Sequence, residues 1–303
     1  MKGLSPFWVN NVYALGYWLK DYARYPKSWP LCTYMDHGMT LVDTIPEHEL
    51  NNNAPLIFKF SPRHIDTYKK VSKKKVYCLL NPTIHCRRQR KYEQSANANG
   101  TLFYVAHSTD LVEDRTNWEN FVDSLRNIST EFQPVDICLH PMDMAKGLDK
   151  IFIENGFRVF TAGDQNSNDY VDNMYKILKN YKYTMSNLLG SYVFYSVEMG
   201  IPFSYFGTEP LYYNTGDKNI ELGEYKSYQT QSTYQYAKSI FTGFHAAISA
   251  EQTEFVEKNL GIYDSVSRGK ASWLLYGALL KYIIRYPGFI KLIGRRRLVG
   301  TRS

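Results

Sequence analysis

Residues 181–207, YKYTMSNLLGSYVFYSVEMGIPFSYFG, place hydroxyl, amide and glycine residues between a short apolar run and a helical pattern. The polar turn contains Ser186, Asn187, Gly190 and Ser191. We predict a strand over 183–185 and a helix over 191–199, because glycine at 200 and proline at 202 are usual helix stop signals. The free N–H groups and positive dipole at the start of such a helix favour an anion, which indicates a site for a phosphorylated ligand. The alternative is an ordinary turn in which serine and asparagine cap the helix.

A second candidate is the pair His140-Pro141 in LHPMDMAKGLDKIF, where a histidine ends an apolar run and a proline begins a helix. Proline suits the first helical position because its φ is already set and its missing N–H is not needed there. A histidine at this point can donate to a phosphate or act as an acid on a leaving group. The alternative is a histidine that only caps the helix. Neither GxGxxG nor GxxxxGK[ST] occurs, so the common dinucleotide and P-loop fingerprints are absent.

A third candidate, Asp36-His37-Gly38, follows the apolar run LCTYM, which we predict to be a strand over 31–35. Transfer of a group to a hydroxyl needs a base that takes the hydroxyl proton. Asp36 is the preferred base, and His37 is either the base instead or a residue that orients the acceptor or a phosphate. A turn in which Asp36 bonds to nearby backbone is the other interpretation. Because neither HExxH nor DxD occurs, we expect no obligatory metal.

The elements that must position these residues alternate regularly from 99 to 207. Apolar runs (GTLFYVAHS, VDICLHP, RVFTAG) are separated by amphipathic segments at 117–128, 145–154 and 170–178. This alternation predicts an α/β fold with a doubly wound parallel sheet, in which ligands bind beyond the carboxyl ends of the strands. His107, Ser108 and Thr109 follow the first of these strands, so we expect them to meet the His140 and Ser186 segments in one crevice.

The first part of the chain supplies fewer strands. PLIFKF, then a helix that starts at Ser61-Pro62, then KKVYCLLNP form one βαβ unit over 55–83. Residues 84–99 are charged and then small and polar, which favours a hinge. We therefore predict an abridged N-terminal acceptor-side domain over 1–90 and a Rossmann-like donor-binding domain over 91–225. C-terminal helices with a basic tail would fill 226–303.

The run from GTLFYVAHST through LHPMDM, FTAGDQ and TMSNLLGSYVFYSVEMGIPFSYFG resembles the donor-binding domain of GT-B glycosyltransferases of bacterial surface polysaccharide (capsule or O-antigen) synthesis. The sialyltransferase and Kdo-transferase group is the most similar. His140-Pro141 matches the HP motif of that group in full, and Ser186 with Ser191 matches its serine motif in part. Asp36-His37-Gly38 keeps the outer positions of the acidic motif and replaces its middle acid by histidine.

The resemblance implies two Rossmann-like domains and a metal-independent glycosyltransferase with a nucleotide-sugar co-substrate, CMP-linked in the group resembled, and no permanently bound cofactor. The implied acceptor is a glycan or a lipid-linked glycan at the inner face of the cell membrane. Donor-binding residues would be His107, Ser108, Thr109, His140, Pro141, Ser186, Asn187, Gly190 and Ser191. Two alternatives stay open: a glycerophosphotransferase that uses CDP-glycerol, and a noncatalytic scaffold with a degenerate nucleotide fold.

The charge of the chain is concentrated at its end. Of 36 basic residues, nine follow Asp264, the last acidic residue, so residues 1–264 carry 27 basic against 29 acidic groups. The segment 273–297 mixes aromatic and aliphatic residues with cations and has no uncharged apolar run long enough to span a bilayer. We expect it to lie on an anionic membrane surface, or else to be a helix that packs on the body. Its candidate membrane residues are Lys281, Arg285, Lys291, Arg295, Arg296 and Arg297.

Other features exclude competing classes. The four cysteines have no CxxC spacing, which is typical of buried thiols in a reducing compartment. The N-terminal residues have no signal-peptide pattern, so we expect a cytoplasmic protein that is peripheral on the membrane. Basic residues confined to the tail, with no base-reading motif, argue against nucleic acid as a partner.

Overall fold

The structure is a computed structural model and describes residues 5–218, 222–225 and 229–289. Two parallel sheets and one small antiparallel sheet carry the fold, with helices between and around them. The strands are β1 Tyr34–Met35, β2 Ile57–Lys59, β3 Val76–Cys78, β4 Thr101–Tyr104, β5 Val112–Asp114, β6 Val135–Cys138, β7 Val159–Phe160, β8 Tyr183–Ser186, β9 Phe203–Tyr205, β10 Tyr212–Asn214 and β11 Gly223–Tyr225.

The helices cover both faces of the parallel sheets. They are α1 Leu15–Tyr22, α2 Glu47–Asn51, α3 Pro62–Val71, α4 Pro82–Arg90, α5 Trp118–Arg126, α6 Pro141–Ala145, α7 Asp149–Glu154, α8 Tyr170–Leu178, α9 Ser191–Glu198, α10 Ser232–Phe241, α11 Ala250–Asn259 and α12 Arg268–Arg285. Helices α3 and α6 begin at Pro62 and Pro141, as the sequence predicts. Proline also starts α4, and Ser249 caps α11 in a capping box.

The larger sheet has the strand order β7-β6-β4-β8-β9, and all its strands are parallel. This is the 3-2-1-4-5 order of a Rossmann-like sheet, which confirms the predicted α/β fold with a doubly wound sheet. The central strand β4 is buried at all four positions, as expected for a strand covered on both faces. The chain leaves β4 toward β6 on one side and returns to β8 on the other. The crevice beyond the carboxyl ends of β4 and β8 is therefore the place where such a sheet binds a ligand.

The smaller parallel sheet has the order β1-β2-β3 and lies in the N-terminal third. Its strands have two or three residues, and β1 is shorter than the strand predicted over 31–35. One apolar core runs from this sheet to α9, α11 and α12, and it includes Phe58, Phe60, Phe194, Val256 and Leu275. The two parallel sheets therefore share packing across a continuous interior.

Two features differ from the prediction. Residues 84–90 belong to α4 and are not part of a hinge, because the first turns of that helix bury Ile84, His85 and Cys86 while Arg88 and Arg90 are exposed. Arg87 forms an ion pair with Glu198 of α9 at 2.5 Å, and this pair holds α4 against α9. The antiparallel sheet β11-β10-β5 is also new, and it joins three-residue strands that are about a hundred residues apart in the chain.

Candidate functional site

Two of the predicted histidines meet at the crevice of the larger sheet. His107 follows β4 and His140 follows β6, and their rings stack with centroids 4.4 Å apart at an interplanar angle of 22°. Parallel neighbouring strands end at the same sheet edge, so the register that pairs Tyr104 with Cys138 places both histidines together. The predicted convergence of these two segments is thus a feature of the structure.

His140 is held in one orientation from both of its ring nitrogens. Its Nδ1 accepts from the N–H of Met142 at 3.3 Å, at the start of α6, and its Nε2 lies 3.1 Å from the hydroxyl of Tyr13. Burial, followed by the nearby His107, lowers the pKa of His140 to about 3. The ring is therefore neutral at pH 7. With Nδ1 assigned as the acceptor, Nε2 carries the proton and donates to Tyr13.

Tyr13 is a residue of the site that the sequence did not reveal. It lies in the N-terminal segment with a positive φ of 53°, and its N–H donates to the carbonyl of Gln165 at 2.6 Å. This bond anchors the segment against the larger sheet and holds the hydroxyl over His140. Burial raises the pKa of Tyr13 to about 12, so the hydroxyl keeps its proton. No sequence pattern links position 13 with position 140, which explains the omission.

His107 is exposed, and its backbone is fixed by the antiparallel sheet. The hydroxyl of Tyr212 in β10 donates to the carbonyl of His107 at 2.8 Å. The ring itself has one local polar contact, between Nδ1 and the carbonyl of Ser108 at 3.3 Å. The imidazole is therefore positioned by its backbone and by stacking, and it remains open to a ligand.

Behind the histidines lies a polar network that the sequence analysis did not include. Asp143 of α6 is buried, and its Oδ1 accepts from the hydroxyl of Ser108 at 3.0 Å. Lys146 donates to that hydroxyl at 2.9 Å and to the carbonyl of Thr109 at 2.6 Å. Burial raises the pKa of Asp143, and its Oδ2 has no partner among the described residues. The network fixes Ser108 and Thr109 and leaves Ser108 buried beneath the cleft surface.

His37 enters the same region from the N-terminal sheet. Its ring lies 5.1 Å from that of Trp8, and the side chain is accessible to solvent. Surrounding protein atoms nevertheless displace much of its water, and this desolvation lowers the pKa of His37 to about 4 against the opposing effect of Asp36. His48, Lys59 and His107 lower the pKa of His37 in the same direction as desolvation. His37 is therefore a neutral imidazole at pH 7 within electrostatic range of His107.

Asp36 has a different environment from that expected of a base open to substrate. It is 4% exposed, and its two oxygens are occupied by the ammonium of Lys59 and, at 2.8 Å, by the N–H of Phe60. Lys59 is 1% exposed and also donates to Glu49 at 2.6 Å. Asp36, Lys59 and Glu49 thus form a buried ionic triad beneath His37. The triad fixes the backbone that carries the neighbouring imidazole.

The triad predicts a pH-dependent stability. Burial, followed by the charge of Asp36, raises the pKa of Glu49 to about 7. A carboxyl with a raised folded-state pKa stabilises the fold below its ordinary pKa of about 4.3, and this contribution is lost as the pH rises through about 7. Glu49→Gln removes this dependence. From about pH 4 to pH 7 the free energy of unfolding of the variant should therefore rise relative to that of wild type. Urea unfolding across this range measures the difference, and parallel curves for the two proteins would contradict it.

Ser186 and Asn187 are fully buried and hold the turn after β8. The Ser186 hydroxyl donates to Tyr192 at 2.9 Å, and the Asn187 side chain accepts from the N–H of Ala106 at 2.9 Å and donates to the carbonyl of Thr208 at 3.0 Å. Neither side chain has a polar atom at the cleft surface. Their contacts tie the end of β8 to the end of β4, and so position the crevice from below.

Ser191 joins the two halves of the site at the first residue of α9, directly after Gly190. Its hydroxyl oxygen accepts from the N–H of Met39 at 2.8 Å. A Cβ added to Gly38 would lie 2.8 Å from that oxygen, so only glycine allows this approach. The Asp36-His37-Gly38 segment is thereby fastened to the start of α9, beside the histidines of the larger sheet.

The remaining predicted residues lie elsewhere. Pro141 starts α6, and Lys281 and Arg285 are exposed on α12. Lys291 and Arg295, Arg296 and Arg297 lie outside the described residues. Within the described ranges, no helix is long and apolar enough to cross a bilayer.

The fold and site define an α/β protein with a Rossmann-ordered sheet and a histidine-lined cleft at the carboxyl edge of that sheet. No protein-family model matches the chain, and a search of curated proteins finds no match. Among solved structures, the wall teichoic acid polymerase TagF, soaked with CDPG, is similar with 14% identity and a TM-score of 0.33. The match covers 80% of this chain and 57% of the polymerase chain, so this chain spans little more than half of it. A score this low carries no argument about function.

Proposed function

We propose that the chain is a nucleotide-dependent transferase of GT-B type, which moves a sugar from a nucleotide-sugar donor to a glycan or lipid-linked acceptor of a surface polysaccharide. The observation that carries this proposal is the meeting of His107, His140 and the His37 segment at the carboxyl edge of the larger sheet, near the start of α9. A helix start and neutral imidazoles form a suitable setting for the phosphates of a nucleotide.

In this mechanism the donor lies across the carboxyl ends of β4 and β8. His107 contacts the phosphates, and the Tyr13 hydroxyl, oriented by His140, donates to them. His37 accepts the proton of the acceptor hydroxyl as that oxygen attacks the anomeric carbon and the bond to the nucleotide phosphate breaks. The bound phosphates raise the pKa of His37 toward neutrality, because an adjacent anion favours the charged imidazolium. Asp36 acts through the buried triad as a positioning residue.

A second candidate is transfer of glycerol phosphate from CDP-glycerol. The His37-Gly38 pair suits attack at phosphorus as well as attack at carbon. The cleft-facing residues named above also include no carboxylate, which is compatible with either reaction. The two candidates separate when the protein is incubated with either a CMP-sugar or CDP-glycerol and the labelled group is followed into the acceptor. If label enters the acceptor only from CDP-glycerol, the protein transfers glycerol phosphate and the sugar-transfer proposal is wrong.

Nucleotide binding is the first test. Thermal-shift measurements with CMP, CDP, UDP and GDP should show one preferred nucleotide, because a ligand at a hundredfold excess over its Kd stabilises the folded state by about 2.7 kcal/mol. His107→Ala should weaken binding of the preferred nucleotide about tenfold or more, since hydrogen bonds to charged groups contribute about 1.5–3 kcal/mol. The unliganded Tm is the control, and it should stay constant because His107 is exposed. No shift with any nucleotide would favour the scaffold alternative.

Attachment to a membrane surface is the second part of the proposal. Helix α12 buries Leu274, Leu275 and Ala278 and exposes a separate apolar stripe of Trp273, Leu280 and Ile284, which are 72%, 61% and 69% exposed. Lys281 lies beside the stripe on the same helix. An exposed apolar stripe flanked by cations is suited to the interface of an anionic bilayer.

Trp273→Ser should reduce binding to phosphatidylglycerol vesicles at least about tenfold, because burying a large apolar side chain contributes about 1.5–3 kcal/mol. Ile153→Ser is the matched control, since Ile153 is also exposed but lies on α7. Vesicle flotation measures both. Equal binding of the two variants to vesicles would show that α12 is not the attachment surface.

A further inference from the structure

A cavity of about 560 Å³ lies at the amino-terminal edge of the N-terminal sheet, away from the histidine cleft. Its walls are residues 50–55, which precede β2, residues 73–75, which precede β3, and Lys281 with Arg285 of α12. Asp36 and His37 follow β1 at the opposite edge of the same sheet. The length of a three-residue strand, about 10 Å, therefore separates the two regions.

Among the residues that the structure describes, the lining of the cavity contains five cations and no carboxylate. The cations are Lys73, Lys74, Lys75, Lys281 and Arg285. Within the described part of the chain, none of them is within ion-pair distance of an acidic side chain. Like charges grouped around one cavity repel one another, so an anion that enters the cavity stabilises this part of the protein.

Neighbouring acidic residues are engaged elsewhere. Glu49 lies in the buried triad with Lys59, and Glu47 accepts from the side chain of Asn51 at 3.1 Å. Both belong to α2, whose end leads into the wall of the cavity. Neither carboxylate lines the cavity or forms an ion pair with one of its five cations.

The wall is fixed before any ligand binds. The Lys74 ammonium donates to the carbonyl of Leu50 at 2.8 Å and to that of Asn52, and the side chain of Asn53 donates to the hydroxyl of Tyr286 at 2.8 Å. These bonds connect the strand entrances with the end of α12. They hold Lys74 in place, while Lys73, Lys75, Lys281 and Arg285 are exposed at the rim.

We propose that this pocket binds a phosphate-bearing anion at a site separate from the nucleotide cleft. Lysine ammonium groups and a guanidinium are the side chains that bind phosphate oxygens most strongly. None of the described residues that line the cavity is aromatic, so they offer no surface on which a base could stack. The ligand is a phosphomonoester or phosphodiester, supplied either by a lipid headgroup or by a soluble phosphate compound.

The test uses the full chain with two probes, glycerol 3-phosphate in solution and phosphatidylcholine vesicles with or without phosphatidylglycerol. The pocket variant Lys73→Gln with Lys75→Gln should weaken binding of at least one probe about tenfold or more. The matched control, Lys150→Gln with Lys176→Gln, removes the same charge from exposed positions on α7 and α8 and should bind as wild type. Lys73→Arg with Lys75→Arg should restore binding.

Loss with vesicles alone assigns the pocket to a lipid headgroup, and loss with glycerol 3-phosphate assigns it to a soluble phosphate; either supports the pocket. Equal loss in the pocket and control variants, or binding of neither probe by wild type, overturns the proposal. The thermal shift by the preferred nucleotide should be unchanged in the pocket variant. A failure of the transferase proposal and a failure of the pocket are therefore read from different measurements.

Discussion

Replacement of His37 by alanine is expected to lower kcat about 10²–10⁴-fold, the usual contribution of a general base. The imidazole is accessible to solvent and neutral at pH 7, whereas the adjacent carboxylate of Asp36 is buried against Lys59. Steady-state transfer from the donor identified by the nucleotide screen measures the effect. Nucleotide affinity should be retained, because the loss concerns proton transfer and not the binding of phosphates.

His245→Ala is the matched control for this prediction. His245 is a partly exposed histidine between α10 and α11, and its replacement should leave turnover within a factor of about two, as is typical of surface changes. Asp36→Asn separates the two candidate bases. If it abolishes turnover with an unchanged Tm while His37→Ala remains active, then Asp36 is the base and the assignment to His37 is wrong.

Replacement of Lys59 by methionine is expected to destabilise the fold by about 3–5 kcal/mol, the usual cost of breaking a buried ion pair from one side. Methionine fills a similar volume but leaves Asp36 and Glu49 as two buried acids without a cation. Urea unfolding measures the free energy change. Because His37 adjoins the triad, turnover should fall together with stability.

Lys69→Met is the corresponding surface control. Lys69 lies 3.6 Å from Asp66 in an ion pair whose side chains are 61% and 81% exposed. Exposed pairs of this kind contribute about 0–1 kcal/mol. If Lys59→Met unfolds at the same urea concentration as Lys69→Met, the triad does not stabilise the fold. The proposed role of the triad in positioning His37 would then be wrong as well.

The regular alternation of strands and helices from 99 to 207 was predictable because parallel strands buried on both faces form continuous apolar runs. The meeting of His107 and His140 was predictable for the same reason, since both follow neighbouring strands of one sheet. Ser186 and Asn187 were predicted to bind the donor, yet both are fully buried at the end of β8. A polar side chain after a strand is as suited to fixing a turn as to binding a ligand. Burial, which separates these roles, depends on residues distant in sequence.

Other features depend on contacts that no local pattern encodes. Lys59 ends an apolar strand and resembles an ordinary polar boundary, yet its partners lie 10 and 23 positions away. Tyr13 reaches His140 across 127 positions. The helix α4 was mistaken for a hinge because its buried face covers only the first turns, so its arginines dominate the composition. The three-residue strands of the antiparallel sheet are too short to produce an alternating pattern.

The continuous core between the two parallel sheets has a mechanical consequence. Because Phe58 and Phe60 of one half pack in the same interior as Phe194 and Val256, the halves cannot swing apart as separate bodies without exposing that interior to water. The bond from Met39 to Ser191 adds a polar fastening at the cleft itself. Substrate must therefore enter through rearrangement of loops and side chains around a rigid frame, and a soaked nucleotide should reach the cleft of a crystal without cracking its lattice.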